Sequence, residues 1–372
     1  MINHKKILAI FITVLIILLP LVFIFTDREY FSENENRYLS NFPRFQFERL
    51  KDGTYMDKLK DYLVDHFPLR SRFIRIKTSF EKIIGKKEIN NVYIAADGYL
   101  IEKYAKPNNK DALISKLNNF HTNIDHVELS LMLVPTSLSI NREKLHKYTP
   151  VISQIDSINY IYSNINFNTI NIYDVLKKEN SNYQMFYRLD HHWTTFGAYF
   201  AYLEYCYNRQ IQPINISDFE IEEVTDNFRG TIYSKVLDNS IEADKIHLFN
   251  LNSLDVTVQY VMTNKTTNSV YEKNHLEKKD KYAVFLDNNH PLITITNNNL
   301  TNNTEVAVIK DSYANSFIPF LVSHYQKVHV IDPRFYKESI SMYIKENKLI
   351  KDILILYNIN TIDNDYGIMT ID

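Results

Sequence analysis

The sequence holds a single cysteine, Cys206, a single tryptophan, Trp193, and only 6 glycines in 372 residues. One cysteine excludes a disulfide within the chain and any zinc site built on cysteine pairs. Lying in a Tyr-rich helical pattern, Cys206 reads as a small buried apolar side chain rather than a nucleophile. Charge of one sign is missing too: 42 Lys and Arg against 44 Asp and Glu give a formal net charge of -2, which supplies no electrostatic footprint for nucleic acid. Repeats of useful length are absent, which excludes solenoids and propellers. What the chain has in quantity is aromatic surface, 27 Tyr and 22 Phe. Tyr offers flat amphipathic faces suited to sugars, but AT-rich coding bias also inflates Tyr, Asn, Lys and Ile, and that is the first explanation. At this length one large domain with an inserted subdomain is favoured over two modest ones.

Residues 7–25, ILAIFITVLIILLPLVFIF, form the one long apolar run. As a helix at 1.5 Å per residue it is about 28 Å long, close to the hydrocarbon thickness of a bilayer. His4, Lys5 and Lys6 precede it, and Asp27, Arg28 and Glu29 follow. The positive-inside rule therefore places the N-terminus in the cytoplasm and everything after residue 26 outside, on an uncleaved single-pass anchor. Residues 27–47 read as a juxtamembrane stalk, and the main domain as 48–372.

Apolar positions at helical spacing, Met56, Leu59 and Leu63, then Phe73, Phe80 and Ile84, predict two amphipathic helices interrupted by Pro68, with His66 and Arg70 holding them together. VYIAADGYLIEK (92–103) predicts a hairpin turning at Asp97-Gly98. VELSLMLVP (127–135), NTINIYDVL (168–176) and QMFYRL (184–189) read as strands, and 194–209 as a helix. HLFNL, VTVQYVM, YAVFLD and LITIT, between Asn-rich turns, suggest a small antiparallel insertion at about 230–300. The C-terminal third alternates: strand 305–309, helix 314–325, strand 327–331, helix 336–347, strand 352–357. That order implies right-handed crossovers and a parallel sheet, whose ligands bind at the carboxyl ends of the strands.

Ser312 sits three residues past one such end, in Lys310-Asp311-Ser312-Tyr313. A serine in a tight strand-to-helix turn, with helix-terminal N–H groups beside it, is a natural nucleophile, and Asp or Ser before a helix is equally ordinary capping chemistry. Leu189-Asp190-His191-His192-Trp193 is the second feature. In extended backbone, residues two apart face the same way, so Asp190 can fix the tautomer of His192 while His191 points elsewhere. A metal site and a structural His pair remain the other readings of this cluster. Arg334, following the strand KVHVI, is suited to acyl or sugar oxygens or to a surface salt bridge. Asn315 or the Ser312 N–H is a candidate oxyanion donor. Tyr313, Tyr233 and Trp193 are candidate cleft aromatics, and Asn141 and Arg142 candidate substrate contacts. His247, His324 and His329 carry no motif support as ligands.

LDHHWT (189–194), VIKDSYANSFIPFL (308–321) and VIDPRFY (330–336), together with SENENRYLSNFP, YLVDHFPLRSRF and LMLVPTSLSI, resemble the DHHW protein family. More distantly they are similar to the SGNH-like domains of periplasmic alginate O-acetylation proteins. The resemblance implies an SGNH-hydrolase-like three-layer α/β/α sandwich and a triad of Asp190, His192 and Ser312, with Lys310 where the classical SGNH block has Gly. It further implies extracytoplasmic acyl transfer, specifically O-acetylation of a cell-surface or secreted polysaccharide. No metal or soluble cofactor is needed, and a membrane-bound O-acyltransferase would supply the acyl group. An esterase or deacetylase on the same residues, or a non-catalytic wall-polymer binding protein, are the alternatives.

Overall fold

The computed structural model describes residues 4–25, 28–32, 37–105, 107–124 and 127–372, which group into two compact units. The first contains residues 1–89 and 234–240. Its longer helices are α1 (His4–Phe25), α2 (Thr54–Asp65) and α3 (Arg70–Ile83), with a short helix at Phe47–Lys51 before α2. Pro68 lies between α2 and α3, where it interrupts neither. The stretch expected as a stalk contains a short antiparallel pair, Phe31–Ser32 with Arg37–Tyr38. His66, just past the end of α2, places its Nε2 2.9 Å from the Ser40 carbonyl.

The second unit, residues 90–233 and 241–372, is mixed α/β. The strands of its eight-stranded sheet are β1 (Glu128–Val134), β2 (Asn168–Thr169), β3 (Val256–Tyr260), β4 (Lys265–Thr267), β5 (Leu292–Asn297), β6 (Glu305–Lys310), β7 (Lys327–Ile331) and β8 (Ile350–Asn358). Their spatial order is β4-β3-β5-β7-β6-β8-β1-β2. β7, β6, β8, β1 and β2 run parallel, with Val308 opposite Val330 and Leu354. β5, β3 and β4 continue the sheet antiparallel.

Each central strand is apolar on both faces because both are covered. Val306 and Val308 of β6, with Leu354 and Leu356 of β8, enter a cluster that includes Tyr199, Tyr202 and Tyr205 of α4 (Thr195–Asn208). Ala307 and Ile309, with Ile353 and Ile355, enter another with Leu113, Leu117, Ile158 and Ile344. A period of two therefore sorts neighbouring residues between two cores, each fully buried aliphatic side chain contributing about 1.5–3 kcal/mol.

Several expected elements differ. VTVQY and LITIT are strands of the main sheet, with Val258 opposite Ile295, rather than a separate insertion sheet. HLFNL pairs instead with Glu220–Phe228. YAVFLD is a 3-10 turn, Lys281–Val284, whose apolar residues face a small core with Phe228, Ile246 and Leu248. QMFYRL makes only an isolated bridge, Phe186 with Trp193. NTINIYDVL is a two-residue strand followed by a helix at Tyr173–Glu179. The C-terminal helices are shorter than the periodicity predicts, Ile318–Leu321 and Ile340–Glu346.

Candidate active site

β6 ends at Lys310, and the chain turns at once into a 3-10 segment, Ser312–Ser316. Asp311 caps that segment: its Oδ1 accepts the Tyr313 N–H at 2.9 Å, and its Oδ2 accepts from Asn358 N and Nδ2 at 2.8 and 2.6 Å. The capping role thus falls to Asp311. Ser312, half-buried, is left with its hydroxyl turned toward His192.

The 189–193 loop meets it from the other side. Ser312 Oγ lies 2.8 Å from His192 Nε2, and His192 Nδ1 lies 2.6 Å from Asp190 Oδ1. A carboxylate only accepts, so Nδ1 carries the proton and Nε2 is free to accept from Ser312. Asp190 Oδ1 also takes the His192 backbone N–H at 3.0 Å, while Oδ2 takes the Thr231 N–H at 2.8 Å and its hydroxyl at 3.0 Å. Four donors thus converge on one buried carboxylate.

Burial favours the neutral acid, but the imidazoles of His191 and His192 and these hydrogen bonds prevail, and Asp190 is held far below the usual carboxylate range. Burial, reinforced by His191, pushes His192 down to about 4 against the pull of Asp190. The imidazole is therefore neutral at physiological pH, as a general base requires. Asp190, His191 and His192 also place three metal-ligand atoms within 4.8 Å of one another. Those of Asp190 and His192 already have hydrogen-bonding partners, and His191 Nδ1 lies 2.6 Å from Thr231 Oγ1.

Three residues of the site carried no signal in the sequence. Thr231 and Gly230 clamp Asp190: a Cβ at Gly230 would run into the Asp190 carboxylate, so the backbone can approach it closely only as glycine. Tyr282 stacks on the His192 ring, centroids 3.8 Å apart and planes at 9°, and donates to Ser312 O at 3.3 Å.

Other expected contacts prove to be internal. Trp193 is fully buried and donates its indole N–H to Tyr313 O and Ser316 Oγ, both at 2.9 Å; it locks the two halves of the site together and offers no face to a sugar. Tyr313 is buried behind His192, its hydroxyl donating to the His191 carbonyl. Tyr233 is buried, with the Lys279 ammonium 4.7 Å and the Arg229 guanidinium 5.0 Å from its ring centroid. Asn141 is buried too: its Nδ2 donates to Ser137 Oγ and its Oδ1 accepts from Asn180, at 2.9 and 3.0 Å. Asn315 turns its Nδ2 toward Asn288 O and Asn289 Oδ1, at 3.3 and 3.4 Å. His324 and His329 are spent on Tyr202 and on Tyr343 and Glu305.

Arg334 is partly exposed and bidentate to Asp332, Nε to Oδ1 at 2.8 Å and Nη2 to Oδ2 at 2.6 Å. Asp332 also meets Lys310 Nζ at 3.3 Å. Burial lowers Lys310 to about 8. The buried Lys310 ammonium thus has two partners, Asp332 Oδ2 and, at 2.6 Å, Asn289 Oδ1. A cavity of about 1210 Å³ lies at the opposite strand ends, by Glu128, Arg209 and Asp352. The convergence of acid, imidazole and hydroxyl is at the carboxyl ends, where open α/β sheets hold their ligands.

The DHHW protein family model matches residues 85–331. A DHHW family protein from Eubacterium siraeum is similar in structure at 25% identity and TM-score 0.66, covering 76% of this chain and 96% of its own. Bacillus cereus PatB1 with a sulfonyl adduct is similar at 18% identity and TM-score 0.62, covering 76% of this chain and 98% of its own. The O-acetyltransferase domain of Pseudomonas putida AlgJ gives 13% identity and TM-score 0.47, over 76% of this chain and 95% of its own. No curated protein sequence matches the chain.

Proposed function

This chain belongs to the DHHW protein family, and we propose that it is a serine-dependent O-acyltransferase that acetylates a cell-surface or secreted polysaccharide. One observation carries the reading: a neutral imidazole held between a buried carboxylate at 2.6 Å and a half-buried serine hydroxyl at 2.8 Å. In this mechanism His192 Nε2 takes the Ser312 proton as Oγ attacks the acyl carbonyl. Asp190 stabilises the imidazolium that forms, and the Ser312 N–H stabilises the oxyanion. The proton then passes from His192 to the departing donor group, leaving acyl-serine. A sugar hydroxyl gives its proton to His192 as it attacks the ester, and His192 returns that proton to Ser312 Oγ as the serine leaves, restoring the free hydroxyl and the neutral imidazole.

The wider reading includes an SGNH-hydrolase-like three-layer sandwich over 48–372, with α1 as a single-pass anchor and the catalytic domain outside the cell. Apolar composition over His4–Phe23 supports the span. Because an acyl donor made in the cytoplasm cannot reach such a site directly, a membrane-bound O-acyltransferase is the proposed partner.

The test offers an activated acetyl ester with and without candidate oligosaccharides. Acetyl appearing on the glycan, and lost in Ser312→Ala and His192→Ala, supports transfer. Release of acetate from an acetylated polymer without any transfer would make the protein a deacetylase, and binding without turnover would refute the enzyme.

A further inference from the structure

α2 and α3 are amphipathic, yet among the described residues nothing covers much of their apolar side. Phe73, Ile76, Phe80 and Ile83 recur along α3 at helical spacing, and all are exposed, Ile83 to 81%. Met56, Leu63 and Phe67 follow the same spacing from α2, and all three are exposed. Single exposed hydrophobics are ordinary, but stripes on two successive helices are not. Met56, Leu63, Phe67 and Phe73 also line an open groove of about 620 Å³, with Lys60 and Lys77 at its rim.

Two further observations identify what covers these stripes. The first is position: the Phe23 ring, near the end of α1, meets the Tyr62 ring of α2 edge-on at 6.3 Å. The Arg28 guanidinium lies 4.3 Å from the Phe23 centroid and 5.6 Å from that of Tyr62. This contact fixes α2 beside the mouth of the apolar helix. The second is charge. Residues 54–87 carry nine Lys and Arg against four Asp and Glu, in a chain whose net charge is -2. Apolar stripes flanked by lysine and arginine are the pattern of helices that lie in a membrane interface.

We propose that α2 and α3 form an interfacial membrane-binding element. Their stripes sit among the headgroups and upper acyl chains on the outer side of the bilayer that α1 crosses, and their basic residues meet anionic headgroups. The proposal rests on reading α1 as a membrane span, and the test keeps the two apart.

The full-length protein is labelled at single introduced cysteines and reconstituted into phosphatidylglycerol-containing vesicles. Burial raises the Cys206 thiol to about 12, so it stays unlabelled. Positions are Ile12→Cys in α1, Leu63→Cys in α2, Phe80→Cys in α3 and Tyr148→Cys as an exposed control; quenchers are a lipid with a spin label high on its acyl chain, and aqueous iodide. Lipid quenching of about half the emission or more is expected at Ile12, Leu63 and Phe80, and none at Tyr148. Exchanging phosphatidylglycerol for phosphatidylcholine is expected to reduce it at Leu63 and Phe80 but not at Ile12. Unquenched Ile12 would refute the span. With Ile12 quenched, iodide access at both Leu63 and Phe80 would overturn the proposal. Shielding of both from lipid and iodide would overturn it in favour of a protein partner or second copy. Equal quenching in the two lipids would overturn the anionic-headgroup contact.

Discussion

Replacing Asp190 with Asn keeps the shape of the acid and removes what the site uses. The carboxylate takes two donors from His192 on Oδ1 and two from Thr231 on Oδ2, at 2.6–3.0 Å, with no room for solvent. An amide has one oxygen. With that oxygen toward His192, its NH2 opposes the Thr231 N–H and hydroxyl, leaving buried donors unpaired at a cost of about 1–3 kcal/mol. With the oxygen toward Thr231, the NH2 faces Nδ1; the ring proton moves to Nε2, and His192 presents Ser312 with a donor instead of a base. In both arrangements the imidazolium loses its counter-charge. The rate constant for an activated acetyl ester is expected to fall about 10³–10⁴-fold, or about 4–5.5 kcal/mol of barrier. Initial rates measure this, with urea midpoints to establish that the variant is folded. A folded Asp190→Asn protein within about tenfold of wild type would refute the assigned role of Asp190.

Because His192 is lowered to about 4, kcat/KM is expected to stay level as pH drops from 7 to about 5 and to fall only below that, and a midpoint near the ordinary 6.5 would contradict the burial argument. The same depression means that the unfolded chain binds the proton first: His192 contributes its full stability above pH 6.5 and loses it as pH falls toward 4, about 3 kcal/mol read from urea midpoints. Tyr282→Phe keeps the ring on His192 and loses the hydroxyl contact to Ser312 O, so a modest rate loss of about threefold to tenfold is expected, whereas Tyr282→Ala frees the imidazole and is expected to cost about a hundredfold. Gly230→Ala drives a methyl into the Asp190 carboxylate and is expected to destabilise by about 1–3 kcal/mol by urea midpoint and to lower activity more than Tyr282→Phe does.

Much of the fold could be read locally. EVAVI and DILILY stand out because both faces of those strands are buried, and their order around Ser312 follows from crossover geometry. YAVFLD shows the limit of that reasoning. Its apolar run serves a small core that surrounds it, and burial on every side erases the period that distinguishes a strand from a turn. VTVQY and LITIT were legible as strands, but which sheet they join depends on pairing across the fold. Spacing places Asp190 and His192 on one face with a metal site and a structural His pair still open, and the turn at Ser312 fits a helix cap as well as a nucleophile; the family resemblance joins the three. Their meeting depends on contacts between residues 120 positions apart, as does the burial of Trp193 between them. Tyr282 was beyond local reading for the same reason: its role is defined by the ring it covers.

The central claim is that Ser312 is the nucleophile, and a covalent adduct tests it most directly. The wild type would be treated with a sulfonyl fluoride, a reagent class that captures activated hydroxyls, and then digested and mapped by mass spectrometry. The account predicts a single adduct on Ser312, lost in His192→Ala and blocked by prior exposure to an activated acetyl ester. An adduct on another residue, or equal labelling of the Ser312→Ala protein, would contradict it.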